Sequence, residues 1–294
     1  MRSIPPTCGP RRQANLQKPK CSERIMRIIF DSTKSYLKKI VNRLIVKPRR
    51  PEWVRISAGP LIGGELFLES NSFSGWSEMV SGTYDSFIYD EIKKMNADDK
   101  VIWDIGAHFG YHSLSFSSIV GEKGHVYSFE PNPFNIERFR LNVARNPALD
   151  KRITLNTNAL SDTNGKSTFI FSNDVDGSRS SGSHLIGATA PLLGYTYLNF
   201  SRQDVETIKI DSLIAGSGIK IPDIMKIDVE GAELLVLNGA SAFFERHKPI
   251  IFMEVHNILM MFYVQRFLIS HGYDIKILNE SESTLSRCFI MAKT

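Results

Sequence analysis

The stretch Val101-Ile-Trp-Asp-Ile-Gly-Ala-His-Phe-Gly110 decides how this chain is read. Val101 to Ile105 is an apolar run interrupted only by Asp104, the length of a buried strand. Gly106 and Gly110 make a turn, and residues 111–120 carry a helical pattern. Strand, glycine turn and helix in that order open a unit of an α/β sheet, where ligands bind outside the carboxyl ends of the strands. Glycine lets a ligand approach the backbone, and the helix N-terminus presents unpaired N–H groups.

The same alternation continues outward. Strands are expected at 125–130, 153–158, 224–228 and 250–255, with helices at 135–146, 232–247 and 259–271 and closing strands at 274–278 and 288–292. Strands that alternate with helices of this length predict an α/β fold with a doubly wound, mostly parallel, Rossmann-like sheet. Upstream, residues 53–69 alternate around Gly59, Gly63 and Gly64 and predict a hairpin, and 84–95 a lead-in helix. Residues 172–203 are rich in Ser and Gly, lack clear periodicity and carry Tyr195, Tyr197 and Phe200. A long loop of that kind reads as a lid, a binding loop or disorder.

The net charge of +5 is unevenly spread. Residues 1–51 hold fourteen Lys or Arg against Glu23 and Asp31, so the remaining chain is mildly acidic. That argues against nucleic acid as a partner of the main domain. Residues 1–21 are too polar to bury and are expected to be disordered. Residues 22–47 place Met26, Phe30, Leu37, Ile40, Val41 and Leu44 on one helical stripe among basic residues. Such a basic helix either packs on the domain or lies on an anionic membrane surface as a peripheral contact. The organisation is therefore a basic extension at 1–51, a hairpin and lead-in helix at 52–99, and a ligand-binding domain at 100–294. Cys8, Cys21 and Cys288 follow no disulfide or zinc spacing, and no secretory leader or spanning helix is expected; a cytoplasmic setting fits.

The turn's spacing distinguishes between cofactors. A dinucleotide site has G-x-G-x-x-G, whereas here the pattern from Asp104 is D-x-G-x-x-x-G, with His108 inside it. Glu130 ends the next strand, where a carboxylate can accept the hydroxyls of a ribose. Asp104, Gly106, Ala107, His108, Gly110 and Glu130, with Asn158 and Ala159 at the end of the third strand, are the candidate cofactor residues. Taken singly, Asp104 is equally a cap and Glu130 an ordinary strand-end acid.

Asp104-Ile-Gly-Ala-His-Phe-Gly-Tyr111, Phe129-Glu-Pro131, Lys226-Ile-Asp-Val-Glu-Gly-Ala-Glu233 and Met253-Glu-Val-His256 together resemble the FkbM-type methyltransferases, across roughly residues 84–256. The resemblance implies a class I methyltransferase fold and S-adenosylmethionine as donor. It also implies O-methylation of a sugar, glycan or other hydroxyl-bearing small molecule. His108 departs from the Asn frequent in such proteins.

Methyl transfer to a hydroxyl gains from a base as well as from positioning. Asp228, ending a central strand, is the first catalytic candidate and Glu254 the second. Glu233 reads as a helix-dipole partner and His256 as a surface histidine, although the carboxylates with His256 would equally suit a divalent cation such as Mg²⁺ or Ca²⁺. Rival readings are an RNA or protein methyltransferase and, in another class, a non-catalytic scaffold held at a membrane by the basic helix.

Overall fold

The structure, a computed structural model, describes residues 51–68, 75–172, 183–185, 188, 200–280 and 288–294, all within the unit Arg49–Thr294. The predicted tail at 1–21 and basic helix at 22–47, with Cys8 and Cys21, lie outside the described residues, as do Tyr195 and Tyr197.

The chain enters through a hairpin, β1 (Glu52–Arg55) and β2 (Glu65–Leu68), followed by helices α1 (Trp76–Ser81) and α2 (Ser86–Lys93). Next come β3 (Val101–Ile105), α3 (Tyr111–Ile119), β4 (His125–Phe129), α4 (Pro133–Arg145), α5 (Pro147–Asp150) and β5 (Ile153–Asn156). A smaller group follows: β6 (Ala159–Leu160), β7 (Gly165–Ser172), β8 (His184–Leu185) and β9 (Phe200–Ile208). The chain then returns through α6 (Ile210–Ser217), β10 (Ile224–Ile227), α7 (Glu233–Asn238), α8 (Ser241–Arg246) and β11 (Ile250–Val255). It closes with α9 (Ile258–Ser270), β12 (Asp274–Glu280) and β13 (Cys288–Lys293).

Seven strands form the central sheet in the order β12-β13-β11-β10-β3-β4-β5. β11, β10, β3, β4 and β5 pair in parallel, and β13 runs antiparallel between β11 and β12. The chain builds outward from β3 to β5, then crosses over to lay β10 on the other side of β3. That reversal is a topological switch point, where the carboxyl ends of neighbouring strands leave a crevice.

Alternate residues of each strand enter opposite cores, as the pleat demands. Ile102, Ile224 and Phe252 face one side, packed with Leu114 and Phe116 of α3, Phe139 of α4 and the hairpin residues Leu66 and Leu68. Trp103, Met225, Ile251 and Met253 face the other, packed with Leu213, Val236, Phe244 and Val264. The hairpin and lead-in helices thus share a core with the main sheet, and Ile88, Tyr89 and Ile92 of α2 are fully buried in it.

Two expectations require correction. The single helix at 232–247 is two, α7 and α8, divided at Gly239 and Ala240. A Cβ on Gly239 would lie 2.0 Å from the Ser161 carbonyl oxygen, so only glycine fits at the junction, where the β6 loop presses against it. The region 172–203 is also not all loop. Within it β8 and the start of β9 join β6 and β7 in a second sheet, ordered β6-β9-β7-β8. Ala159, Phe169, Phe171, Leu185 and Val205 form its own small core.

Candidate active site

The loops after β3, β4, β10 and β11 meet at one edge of the sheet. The β3 loop is compressed against the end of β10: a Cβ on Gly106, whose φ is +82°, would lie 1.8 Å from the Asp228 carbonyl oxygen. Only glycine fits there. The N–H groups of Gly106 and Ala107 both donate to the Phe129 carbonyl at 3.0 Å, tying the turn to β4. His108 is in the left-handed region at φ +53°, and Gly110 starts α3 at φ +94°.

That conformation aims the His108 N–H at Glu130 Oε2, 2.8 Å away. Glu130 Oε1 accepts from the Asn132 N–H at 2.9 Å and the Asn135 amide at 3.2 Å. A carboxylate has about four acceptor sites, so three donors hold it in place and leave capacity for a ligand. Burial pushes the Glu130 carboxyl up to about 7, although these hydrogen bonds favour its ionised form.

Beside it runs a buried network of charges. Lys226 pairs in register with Asp104 across β10 and β3. Its Nζ donates to the Gly106 carbonyl at 3.0 Å and lies 3.5 Å from Asp104 Oδ1 and 3.3 Å from Asp228 Oδ2. Burial disfavours the ammonium, but the two aspartates outweigh it and hold the proton above the usual lysine range. The Ser128 hydroxyl donates to Ser113 Oγ at 2.8 Å, and Ser113 donates to Asp104 Oδ2 at 2.5 Å. Burial likewise opposes an ionised Asp228, yet Lys226 and His256 keep its carboxyl below the ordinary range.

His256 is not a surface residue; it is 7% exposed. Its Nδ1 is 2.7 Å from Glu233 Oε1, and its Nε2 is 3.4 Å from Glu230, 3.6 Å from Asp228 and 3.9 Å from Glu254. Burial alone would strip its proton, but Glu230, Glu233 and Glu254 hold it well above the usual histidine range. Glu233 is likewise more than a dipole partner: it is fully buried and also accepts the Gly231 N–H at 3.0 Å. Asp228, Glu254 and His256 can each bring one ligand atom within 4.8 Å of the others. Positive charge at this cluster is supplied from within, by Lys226 and the imidazolium.

These groups open onto a cavity of about 1100 Å³, its mouth included. Gly106, Ala107, His108, Glu130, Asn158 and Ala159 line it, as do Asp228 and Glu254. Two expected cofactor contacts do not reach it: Asp104 is enclosed beneath with Lys226 and Ser113, and Gly110 is turned towards Phe139. Neighbouring strands lie about 4.8 Å apart, so Glu130 after β4 and Glu254 in β11 stand at ends of the crevice about 14 Å apart. The sequence reading gave no role to Lys226, Tyr84, Tyr111 or His112, which also line the cavity. A lysine inside an apolar strand was the available signal for the first, since buried lysines are paired.

Two polar atoms of the lining, His108 Nε2 and Tyr111 Oη, are buried with no hydrogen-bond partner among the described residues. With the remaining acceptor capacity of Glu130 they are what a polar nucleoside ligand would satisfy, and the residues present fit one.

A mostly parallel seven-stranded sheet with one antiparallel strand, a glycine turn after β3 and a buried carboxylate after β4 define a Rossmann-like methyltransferase fold. The chain matches the methyltransferase FkbM domain over residues 104–288 and belongs to that family. Among curated proteins it is similar to hexuronic acid methyltransferase AglP of Haloferax volcanii, 27% identical over 54% of this chain and 57% of that one. It is also similar to 2-O-methyltransferase NoeI of Sinorhizobium fredii, 31% identical over 50% of this chain and 60% of that one. The matched stretches therefore span under two thirds of either relative. A solved structure similar to it is methyltransferase FkbM from Methylobacillus flagellatus, with TM-score 0.48 and 17% identity over 66% of this chain and 44% of that one.

Proposed function

We propose that this protein transfers a methyl group from S-adenosylmethionine to a hydroxyl oxygen of a sugar or glycan. The observation that carries the reading is Glu130, a carboxylate buried in the cavity wall and held by three donors, with the carboxylates of Asp228 and Glu254 at the other end. Glu130 would accept the ribose hydroxyls, with Asn158 and Ala159 beside the nucleoside and Gly106, Ala107 and His108 along its path. When bound, the donor supplies an electrophilic methyl carbon on a cationic sulfur. The acceptor's hydroxyl oxygen forms the new bond to carbon, and the pair of the broken carbon–sulfur bond stays on sulfur. The hydroxyl proton passes to a carboxylate and then to water.

Asp228, held ionised by Lys226 and His256 at the expense of its basicity, is suited to orient that hydroxyl and is the first candidate to take its proton, and Glu254 is the next. Alignment by fixed groups supplies most of the rate in such a displacement, up to about 7–11 kcal/mol, and the base adds about 10²–10⁴-fold. Support for a sugar acceptor comes from the relatives, one named for hexuronic acid and one for 2-O-methylation.

The test has two stages. Calorimetry with S-adenosylmethionine and with NAD should show binding of the first alone. Incubation of a glycan extract with isotopically labelled donor, read by mass spectrometry, should then show label as a methyl ether. NAD binding, or no binding of the sulfonium, overturns the donor; label on protein or RNA alone overturns the acceptor class.

A further inference from the structure

We propose that the solvent face of α9 is the surface through which two copies of this chain pair. Only Gln265, Arg266 and Ser270 of its thirteen residues are polar. Met260, Val264 and Leu268 are buried in the core beneath it. The opposite face is also apolar: Ile258, Leu259, Phe262, Tyr263 and Ile269 lie there, with Ile258 68% and Phe262 62% exposed. Ile277, on the edge strand β12, is 52% exposed and adds to that side of the sheet. Its register partner Ile290 and its neighbour on the same face, Ile275, both pack with Val264 in the core beneath α9. A helix that is apolar all round normally has both faces covered. By contrast α4, of equal length, exposes Glu137, Arg140 and Arg145.

Composition and area select the occupant. A helix that lies on a membrane carries several lysines and arginines along its polar flank, whereas α9 has Arg266 and no lysine. Aromatic and aliphatic side chains with an arginine and no acid are the make-up of the centre of a protein–protein contact. At roughly 200 Å² for a large apolar side chain, the exposed parts of these six residues amount to on the order of 600 Å² per copy. Self-pairing would bury about 1,200 Å² from them alone, which reaches the range of specific interfaces. The face also complements itself. A two-fold axis sets one patch against the same patch, and an antiparallel pairing centred between Phe262 and Tyr263 brings those rings together across the axis. The two Arg266 side chains then start about 10 Å apart along the helices and do not oppose each other. α9 begins two residues after His256, so pairing also steadies the chain that leaves the cluster of Asp228, Glu254 and His256.

Light scattering on the full chain as it leaves a sizing column, across a series of concentrations, reads the mass directly. The wild type should elute at twice the 33.2 kDa of one chain. Phe262→Glu should weaken association about a hundredfold or more, because symmetry places the charge in the contact twice. Ile269→Glu, nearer the end of the helix, should weaken it less, and it decides the matter if the first variant does not fold. Ile62→Glu, at an equally exposed position of the hairpin, should stay paired. A wild type that is a single chain throughout the series overturns the proposal. If that single chain is retained on phosphatidylcholine–phosphatidylserine vesicles and Phe262→Glu is not, the face belongs to a membrane instead. Pairing that survives both glutamates on α9 overturns the proposal too and places the contact elsewhere, as does pairing lost equally in Ile62→Glu.

Discussion

Glu130 lies in the cavity wall with its carboxyl pushed up to about 7, against an ordinary value of 4.5. That gap is worth about 3 kcal/mol between the two protonation states. Because the folded value is the higher one, the contribution to stability is complete below about 4.5 and is lost as pH rises through 7. Glu130→Gln removes the titration while keeping one acceptor oxygen for the Asn132 and Asn135 donors. It places an amide donor opposite the His108 N–H, at a cost of about 1–3 kcal/mol. Urea unfolding of the ligand-free proteins at pH 5 and pH 8 isolates the effect, since other groups titrate alike in both. The wild type should lose about 2–3 kcal/mol relative to the variant between those two pH values. A difference between the proteins that is the same at both would show that Glu130 is not a buried, weakly acidic carboxyl.

Three other outcomes are expected. Asp228→Asn should reduce single-turnover methyl transfer by about 10²-fold or more with little change in S-adenosylmethionine affinity; near wild-type turnover would promote Glu254 instead. Lys226→Met strands the carboxylates of Asp104 and Asp228 and should destabilise the protein by about 3–5 kcal/mol in urea. Adding Asp104→Asn should recover part of that loss, and no recovery would show that the pair is not coupled. Chelator treatment should leave nucleoside binding and methyl transfer unchanged, because Lys226 and His256 supply the positive charge at Asp228 and Glu254. Activity lost to chelator and restored by a divalent ion would reassign those residues as metal ligands.

Much of the fold was legible in the sequence because its signals are local. β3, its glycine turn and α3 could be read from residues 101–120, since strand, turn and helix each impose their own period and glycine marks the tight backbone. The strand-end position of Glu130, Asp228 and Glu254 followed from the same alternation. The second sheet was missed because β7 and β9 are short on apolar residues and reveal themselves only by pairing with each other. The long helix at 232–247 was misread because the close approach of Ser161 that requires glycine at position 239 comes from a segment far away in sequence.

The sequence by itself determined the strand–helix alternation from β3 to β5 and from β10 onward, and the residues brought to the sheet's carboxyl edge, because these depend on periodicity and turn chemistry. Only the tertiary structure decided what each charged residue does there. Asp104 and Glu130 both end strands beside the same turn, yet one is enclosed as the partner of Lys226 and the other faces the cavity. His256 and Glu233 look like surface groups and are buried together. Burial and the nearest opposite charge set protonation and reach, and both arise from strands that are distant in the chain and adjacent in the sheet.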